Sequence, residues 1–182
     1  MTVLKQEYLP HYTSRDYEIW EGSWELIEGV PYAMSPAPTI SHQFISQKIA
    51  FQLSNLLTNC KNCKALLPVD WKINEETIVQ PDNLVVCGEV SGQYLTKAPK
   101  VIFEVLSPST AHKDTGIKFD LYQQEGVAYY IIVNPEESVA KVYKLTEDGR
   151  LIKKMDAQND QYLIEIEGCE LNFDFSQIWD ND

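Results

Sequence analysis

The sequence contains no apolar run near the roughly 18 residues that cross a bilayer, and its opening stretch, MTVLKQEYLPHY, lacks the apolar centre of a secretory signal. A membrane protein is excluded on this reading, and a cytoplasmic location is expected. Basic residues are scarce as well: 15 Lys and Arg against 27 Asp and Glu give a formal net charge of −12. Nonspecific binding to nucleic acid draws its affinity from neutralising phosphates with Lys and Arg, so tight binding of that kind is excluded. Internal repeats and low-complexity tracts are missing. Cysteine is limited to Cys60, Cys63, Cys87 and Cys169. Cys60 and Cys63 have the CxxC spacing of half a zinc site, but no second CxxC or nearby His pair completes it. In a reducing compartment the expectation is four ordinary thiols without a role.

What is present suffices for one core. The 182 residues are 44% hydrophobic and 11% aromatic, which fits one domain spanning 1–182. Thr13 to Trp20 reads as a short helix capped by Thr13 or Ser14. Trp24–Ile27 and Val30–Met34 flank Glu28-Gly29 and read as a β-hairpin. Ser35-Pro36-Ala37-Pro38 is a rigid loop. Beyond Ser41, Ile45, Ile49, Leu53, Leu56 and Leu57 recur at helical spacing. Leu67, Val69, Trp71 and Ile73 alternate with polar or turn residues as in a strand, and Asn83–Cys87 and Lys100–Leu106 read as central strands. A helix from Thr110 to Glu125, capped by Ser109 or Thr110 and stopped by Gly126, leads to the strand Tyr129–Val133, a unit that usually joins parallel strands. Val139–Leu145, Leu151–Met155 and Tyr162–Ile166 complete a C-terminal β-meander, with Asp148-Gly149 as a turn. The fold class expected is α/β (α+β), a mixed central sheet flanked by helices.

Two carboxylates stand where apolar residues belong. Asp82 opens a buried strand and Glu104 interrupts the run Val101–Leu106. An ionised carboxylate buried without a partner costs several kcal/mol, so it is neutralised, salt-bridged or bound to a cation. An ion pair explains a lone Glu; two acids on neighbouring strands point instead to a shared cation, because clustered carboxylates repel. Mg²⁺ suits this pair, since it takes one or two protein carboxylates and fills its shell with water and phosphate oxygens. The two carboxylates are expected to converge on one sheet face.

Taken in order, WELIEG at Trp24–Gly29, His42, PDNLVV at Pro81–Val86, FEVLSPST at Phe103–Thr110, then Asp114, Lys118 and Tyr122, and GVAYYIIVNP at Gly126–Pro135 carry a resemblance over nearly the whole chain. They resemble the Uma-type family of restriction-endonuclease-like proteins within the PD-(D/E)xK nuclease superfamily. The resemblance implies a restriction-endonuclease-like core and metal-dependent phosphodiester hydrolysis, with Asp82 and Glu104 as metal ligands. It further implies that Glu25, the glutamate of the early motif, completes the metal shell or binds a second ion. The superfamily places a Lys two residues after the acid, where this chain has Leu106. That lysine orients the attacking water and stabilises phosphoryl charge. Lys118 is the expected substitute, because Asp114, Lys118 and Tyr122 recur at i, i+4 and i+8 on one helix face after the Glu104 strand. An exposed Asp114–Lys118 pair worth about 0.2–0.5 kcal/mol is the plainer explanation. Lys72 is the reserve. His42 reads as a packing or surface residue.

The expected function is therefore a Mg²⁺- or Mn²⁺-dependent endonuclease acting on nucleic acid, DNA first, with Asp82, Glu104, Lys118 and Glu25 as catalytic residues. The alternative is a catalytically inactive nuclease-fold binding or assembly module, which the acidic surface and absent motif lysine permit. A homodimer is expected because aromatic residues such as Tyr143 and Phe173 exceed what one small core needs.

Overall fold

The computed structural model describes residues 10–34, 37–108 and 111–179. The opening segment 1–9, Ser35 and Pro36 of the expected loop, and Ser109 and Thr110, the expected helix cap, lie outside the described residues.

The first helix is shorter than the sequence suggests. α1 is a single turn, Ser14–Tyr17, closed by a capping box in which Asp16 accepts from the Thr13 amide. Strands β1 (Trp24–Ile27) and β2 (Val30–Ala33) follow, joined at Glu28 and Gly29. Both turn residues have positive φ, 50° and 74°, which matches the right-handed twist of the two strands. Helix α2 (Ile40–Leu56) starts at Thr39, whose hydroxyl accepts from the His42 amide. β3 (Cys63–Leu66), β4 (Trp71–Asn74), β5 (Thr77–Val79), β6 (Asn83–Cys87) and β7 (Val101–Val105) come next. The expected strand across Leu67–Ile73 therefore does not start at Leu67. Residues 67–70 belong to neither β3 nor β4, Leu67 is exposed, and Pro68 has no amide to give to a ladder.

The expected helix from Thr110 to Glu125 is also corrected, since it divides into α3 (Ala111–Thr115) and α4 (Ile117–Gln124) at Gly116. A Cβ at Gly116 would lie 2.9 Å from the His112 carbonyl oxygen, so the elbow is closed to any side chain. β8 (Tyr129–Asn134), β9 (Val139–Leu145), β10 (Leu151–Ala157), β11 (Gln161–Ile166) and β12 (Cys169–Asp174) complete the strands.

The central sheet is mixed, in the order β10-β9-β8-β7-β6-β3, with β7 and β8 parallel and the other neighbours antiparallel. Of the expected C-terminal meander, β9 and β10 pair, but β11 leaves the sheet and pairs with β12 instead. A second antiparallel sheet has the order β2-β1-β5-β4. Period-two alternation gives the central sheet two apolar faces. Val101, Phe103, Val105 and Ile131 pack with Ile45, Ile49 and Leu53 of α2 and with Phe173 and Phe175. Ile102, Tyr130 and Ile132 pack with Ile27, Trp71 and Val79 of the smaller sheet and with Tyr122 of α4. The central sheet is thus flanked by helices, as the α+β expectation holds. Phe173 is fully buried in this core, which removes it as a reason for a second subunit. Among the described residues, no helix is long and apolar enough to cross a membrane.

The cysteines depart from expectation: Cys60 is bonded to Cys169 and Cys63 to Cys87, leaving no free thiol. Separation in sequence hid this. The chain is 109 residues long between Cys60 and Cys169, and only the pairing of β3 with β6 sets Cys63 opposite Cys87.

Candidate active site

The register of β6 against β7 creates the site. Asn83 pairs with Phe103 and Leu84 with Ile102, so Asp82 and Glu104 occupy the next facing positions outward. Glu104 follows Ile102 by two residues and shares its sheet face. The Asp82 amide approaches Glu104 Oε2 at 3.4 Å, and Asp82 Oδ2 accepts from the Val105 amide at 2.8 Å. Glu104, one residue from the C-terminal end of β7, is buried, while the Asp82 side chain retains 18% exposure and is the more open of the two.

Three elements deliver cations and hydroxyls to these acids. α4 places the Lys118 ammonium 3.0 Å from Glu104 Oε1, 2.8 Å from Glu25 Oε1 and 3.5 Å from Asp114 Oδ1. Tyr122, one turn further, donates to Glu104 Oε1 at 2.7 Å. Lys113 on α3 reaches Glu25 Oε2 at 2.8 Å. His42 on the first turn of α2 lies 3.1 Å from Asp82 Oδ2. The smaller sheet supplies Glu25, which is fully buried and also accepts from the Gln80 amide at 3.0 Å. Trp71 stacks on Tyr122 and Tyr130 meets it edge-on, walling the cluster with aromatic surface.

Electrostatics follow from this burial. Burial pushes the Glu104 carboxyl well above the usual range, and although Lys118 opposes the shift, Asp114, Asp82 and Glu25 add to it. Burial likewise pushes Glu25 up, but Lys118 and Lys113 outweigh it and hold that carboxyl low. Desolvation disfavours the Lys118 ammonium, yet Glu104 and Glu25 together raise it well above its ordinary value, so it stays charged. Four carboxylates (Glu25, Asp82, Glu104, Asp114) thus meet two ammoniums (Lys113, Lys118) and the imidazole of His42, whose pKa burial lowers but the Asp82 carboxylate raises above its ordinary value. Carboxylates crowded in this way repel one another unless a proton or a cation sits between them.

All four residues singled out from sequence, Asp82, Glu104, Lys118 and Glu25, come together here. The plainer explanation of Lys118, a solvated intrahelical pair, fails because its side chain is 3% exposed and its closest contacts are Glu25 and Glu104. Lys72 is elsewhere, bonded to Ser14 and Glu75. His42, read as a packing or surface residue, is buried, with its Nε2 3.1 Å from Asp82 Oδ2. Lys113 went unrecognised, since its partner Glu25 lies 88 positions away in sequence and on another element. Beside the cluster, Thr39, Ser41, Leu106, Ser107, Pro108, Ala111, Asn134, Pro135 and Glu136 line a cleft of ≈ 460 Å³ at the exits of β7 and β8.

Comparison with known proteins identifies the family and the fold. The chain is 29% identical over 150 residues to an uncharacterized protein of Synechocystis sp. (strain PCC 6803), covering 77% of each chain. Its fold is similar to the crystal structure of a "putative nuclease belonging to DUF820" from Anabaena variabilis ATCC 29413, with a TM-score of 0.74, 16% identity, and coverage of 92% of this chain and 97% of that one. Residues 14–174 match the model of the Uma2 family, described as "Putative restriction endonuclease", and they contain every residue of the cluster; the chain belongs to that family.

Proposed function

We propose that the protein is a metal-dependent endonuclease that hydrolyses phosphodiester bonds in nucleic acid, with DNA as the first substrate to test and Mg²⁺ or Mn²⁺ as cofactor. The observation that carries this reading is the pairing of Asp82 and Glu104 across β6 and β7, with the Lys118 ammonium held on Glu104. The donor set fits the metal. Two carboxylates, one open toward solvent, match the preference of Mg²⁺ for few protein ligands. When bound, such a cation lowers the pKa of water and stabilises charge on the phosphoryl oxygens.

The chain's own residues do the rest. His42 and the Val105 amide fix Asp82, Tyr122 fixes Glu104, and Glu25 with Lys113 holds Lys118 from behind. Lys118 supplies from α4 the positive charge that Leu106, just past the end of β7, cannot supply, to orient water and to offset transition-state charge. Calorimetry with Mg²⁺ and Mn²⁺, paired with nicking of supercoiled plasmid, tests the proposal. Wild type is expected to bind metal and nick the plasmid, and Asp82→Ala to lose both. A wild type that binds neither ion overturns the metal site. One that binds metal yet leaves plasmid, single-stranded DNA and RNA intact selects the inactive binding or assembly module instead.

A further inference from the structure

The second chemical cluster lies at the far end of β6. Asp82 precedes that strand and Cys87 ends it, so about five residues at roughly 3.3 Å each separate the two sites. Here the turn between α2 and β3 contributes Cys60, the start of β3 Cys63, the end of β6 Cys87 and the start of β12 Cys169. The two disulfides are not independent. The sulfurs of Cys60, Cys63 and Cys169 lie within 4.8 Å of one another, and the Cys87 sulfur, bonded to that of Cys63, adjoins this group of three. The CxxC segment is a tight turn in which the Cys63 amide donates to the Cys60 carbonyl at 2.9 Å, bringing its two sulfurs to one side. Cys60, Cys63 and Cys87 are buried and Cys169 is half-buried, which leaves a way in from solvent.

We propose that the reduced form of this cluster is a structural zinc site, in which Cys60, Cys63, Cys87 and Cys169 bind one Zn²⁺ through four sulfurs. The donor set is entirely soft sulfur, with no His or carboxylate in the group, which selects Zn²⁺ over the Mg²⁺ suited to Asp82 and Glu104. A tetrahedral S₄ shell at about 2.3 Å per bond needs sulfurs roughly 3.8 Å apart, inside the spread the three cysteines already have. Reduction by an external phosphine or dithiol adds two electrons and two protons to each bridge and yields four thiols. Zinc then binds with release of four protons and no change in its oxidation state. The bound shell has a formal charge of −4 + 2 = −2. Lys97, whose ammonium bonds the Cys87 carbonyl at 2.9 Å, stands beside it as a counter-charge. Either as zinc site or as disulfides, the four cysteines pin the β11–β12 hairpin to the turn between α2 and β3 and to the β3 edge of the central sheet.

The test uses the full chain, reduced with a phosphine under nitrogen and titrated with Co²⁺, a spectroscopic substitute for zinc. A sulfur-to-cobalt charge-transfer band is expected to saturate at one equivalent and to disappear when one equivalent of Zn²⁺ is added. Cys169→Ser, at the half-buried position, should weaken zinc binding by roughly tenfold or more. Asp82→Ala should leave the band unchanged, since carboxylate-bound Co²⁺ does not produce it. Reduced wild type that is folded by circular dichroism but shows no such band overturns the proposal. So does a Cys169→Ser variant with wild-type spectrum and affinity.

Discussion

Lys118 touches three carboxylates with one ammonium, and its burial decides what its removal does. An exposed pair contributes under about 1 kcal/mol, whereas removing one partner of a buried pair leaves uncompensated charge and costs roughly 3–5 kcal/mol. Lys118→Met is therefore expected to lower unfolding stability by about 3 kcal/mol in denaturant titrations, and Mg²⁺ should restore part of it. Nuclease turnover should fall by about a hundredfold or more while metal still binds, as loss of one electrostatic stabiliser does. Stability within about 1 kcal/mol of wild type would contradict the buried network. Lys72→Met provides the contrast, because its partners Ser14 and Glu75 lie outside the cluster; it should leave turnover unchanged and stability within about 1 kcal/mol. Asp82, Glu104 and Lys118 were legible in sequence because a charge inside an apolar run, or at helical spacing beside one, demands a partner. His42 and Lys113 were not, because each reaches the cluster only through the placement of a distant element.

The elements show the same division between local and long-range information. Period-two alternation in Val101–Val105 sets Glu104 on the face of Ile102, and the Glu28-Gly29 hairpin needs nothing beyond its own turn residues. By contrast, Leu67–Asp70 alternates like a strand but finds no ladder, and nothing local tells β11 to pair with β12 rather than β10. The break between α3 and α4 was not foreseen: Gly116 is a weak helix former, but it is the approach of the His112 carbonyl that closes the position to a side chain. Gly116→Ala removes the elbow or forces the backbone aside, so a loss of about 1–3 kcal/mol is expected despite the higher helix propensity of Ala. Lys113 should move relative to Lys118, and turnover should fall with stability. A Gly116→Ala variant more stable than wild type would mean the elbow is not a packing requirement.

At the scale of the whole molecule, the charge of −12 governs how a polyanion arrives. A homodimer remains a proposal, though its sequence argument has weakened, with Phe173 in the core and Tyr143 packed edge-on against Phe119 at 4.9 Å. Light scattering at micromolar concentration should give twice the mass of one chain, and a single-chain mass refutes it. Substrate approach offers a sharper test of the nuclease reading. Proteins that grip DNA through many Lys and Arg contacts lose affinity as salt rises, by a log–log slope of about −0.9 per phosphate neutralised. Here most of the surface field opposes the substrate, and monovalent salt screens it beyond roughly 10 Å at 0.1 M. With Mg²⁺ held constant, kcat/KM is therefore expected to rise, or stay flat, as NaCl increases from low concentration to about 0.1 M, the reverse of a basic nuclease. A steep fall over that range would show that a local basic face, not the divalent cation, captures the phosphates, and would move the substrate contacts away from Asp82 and Glu104.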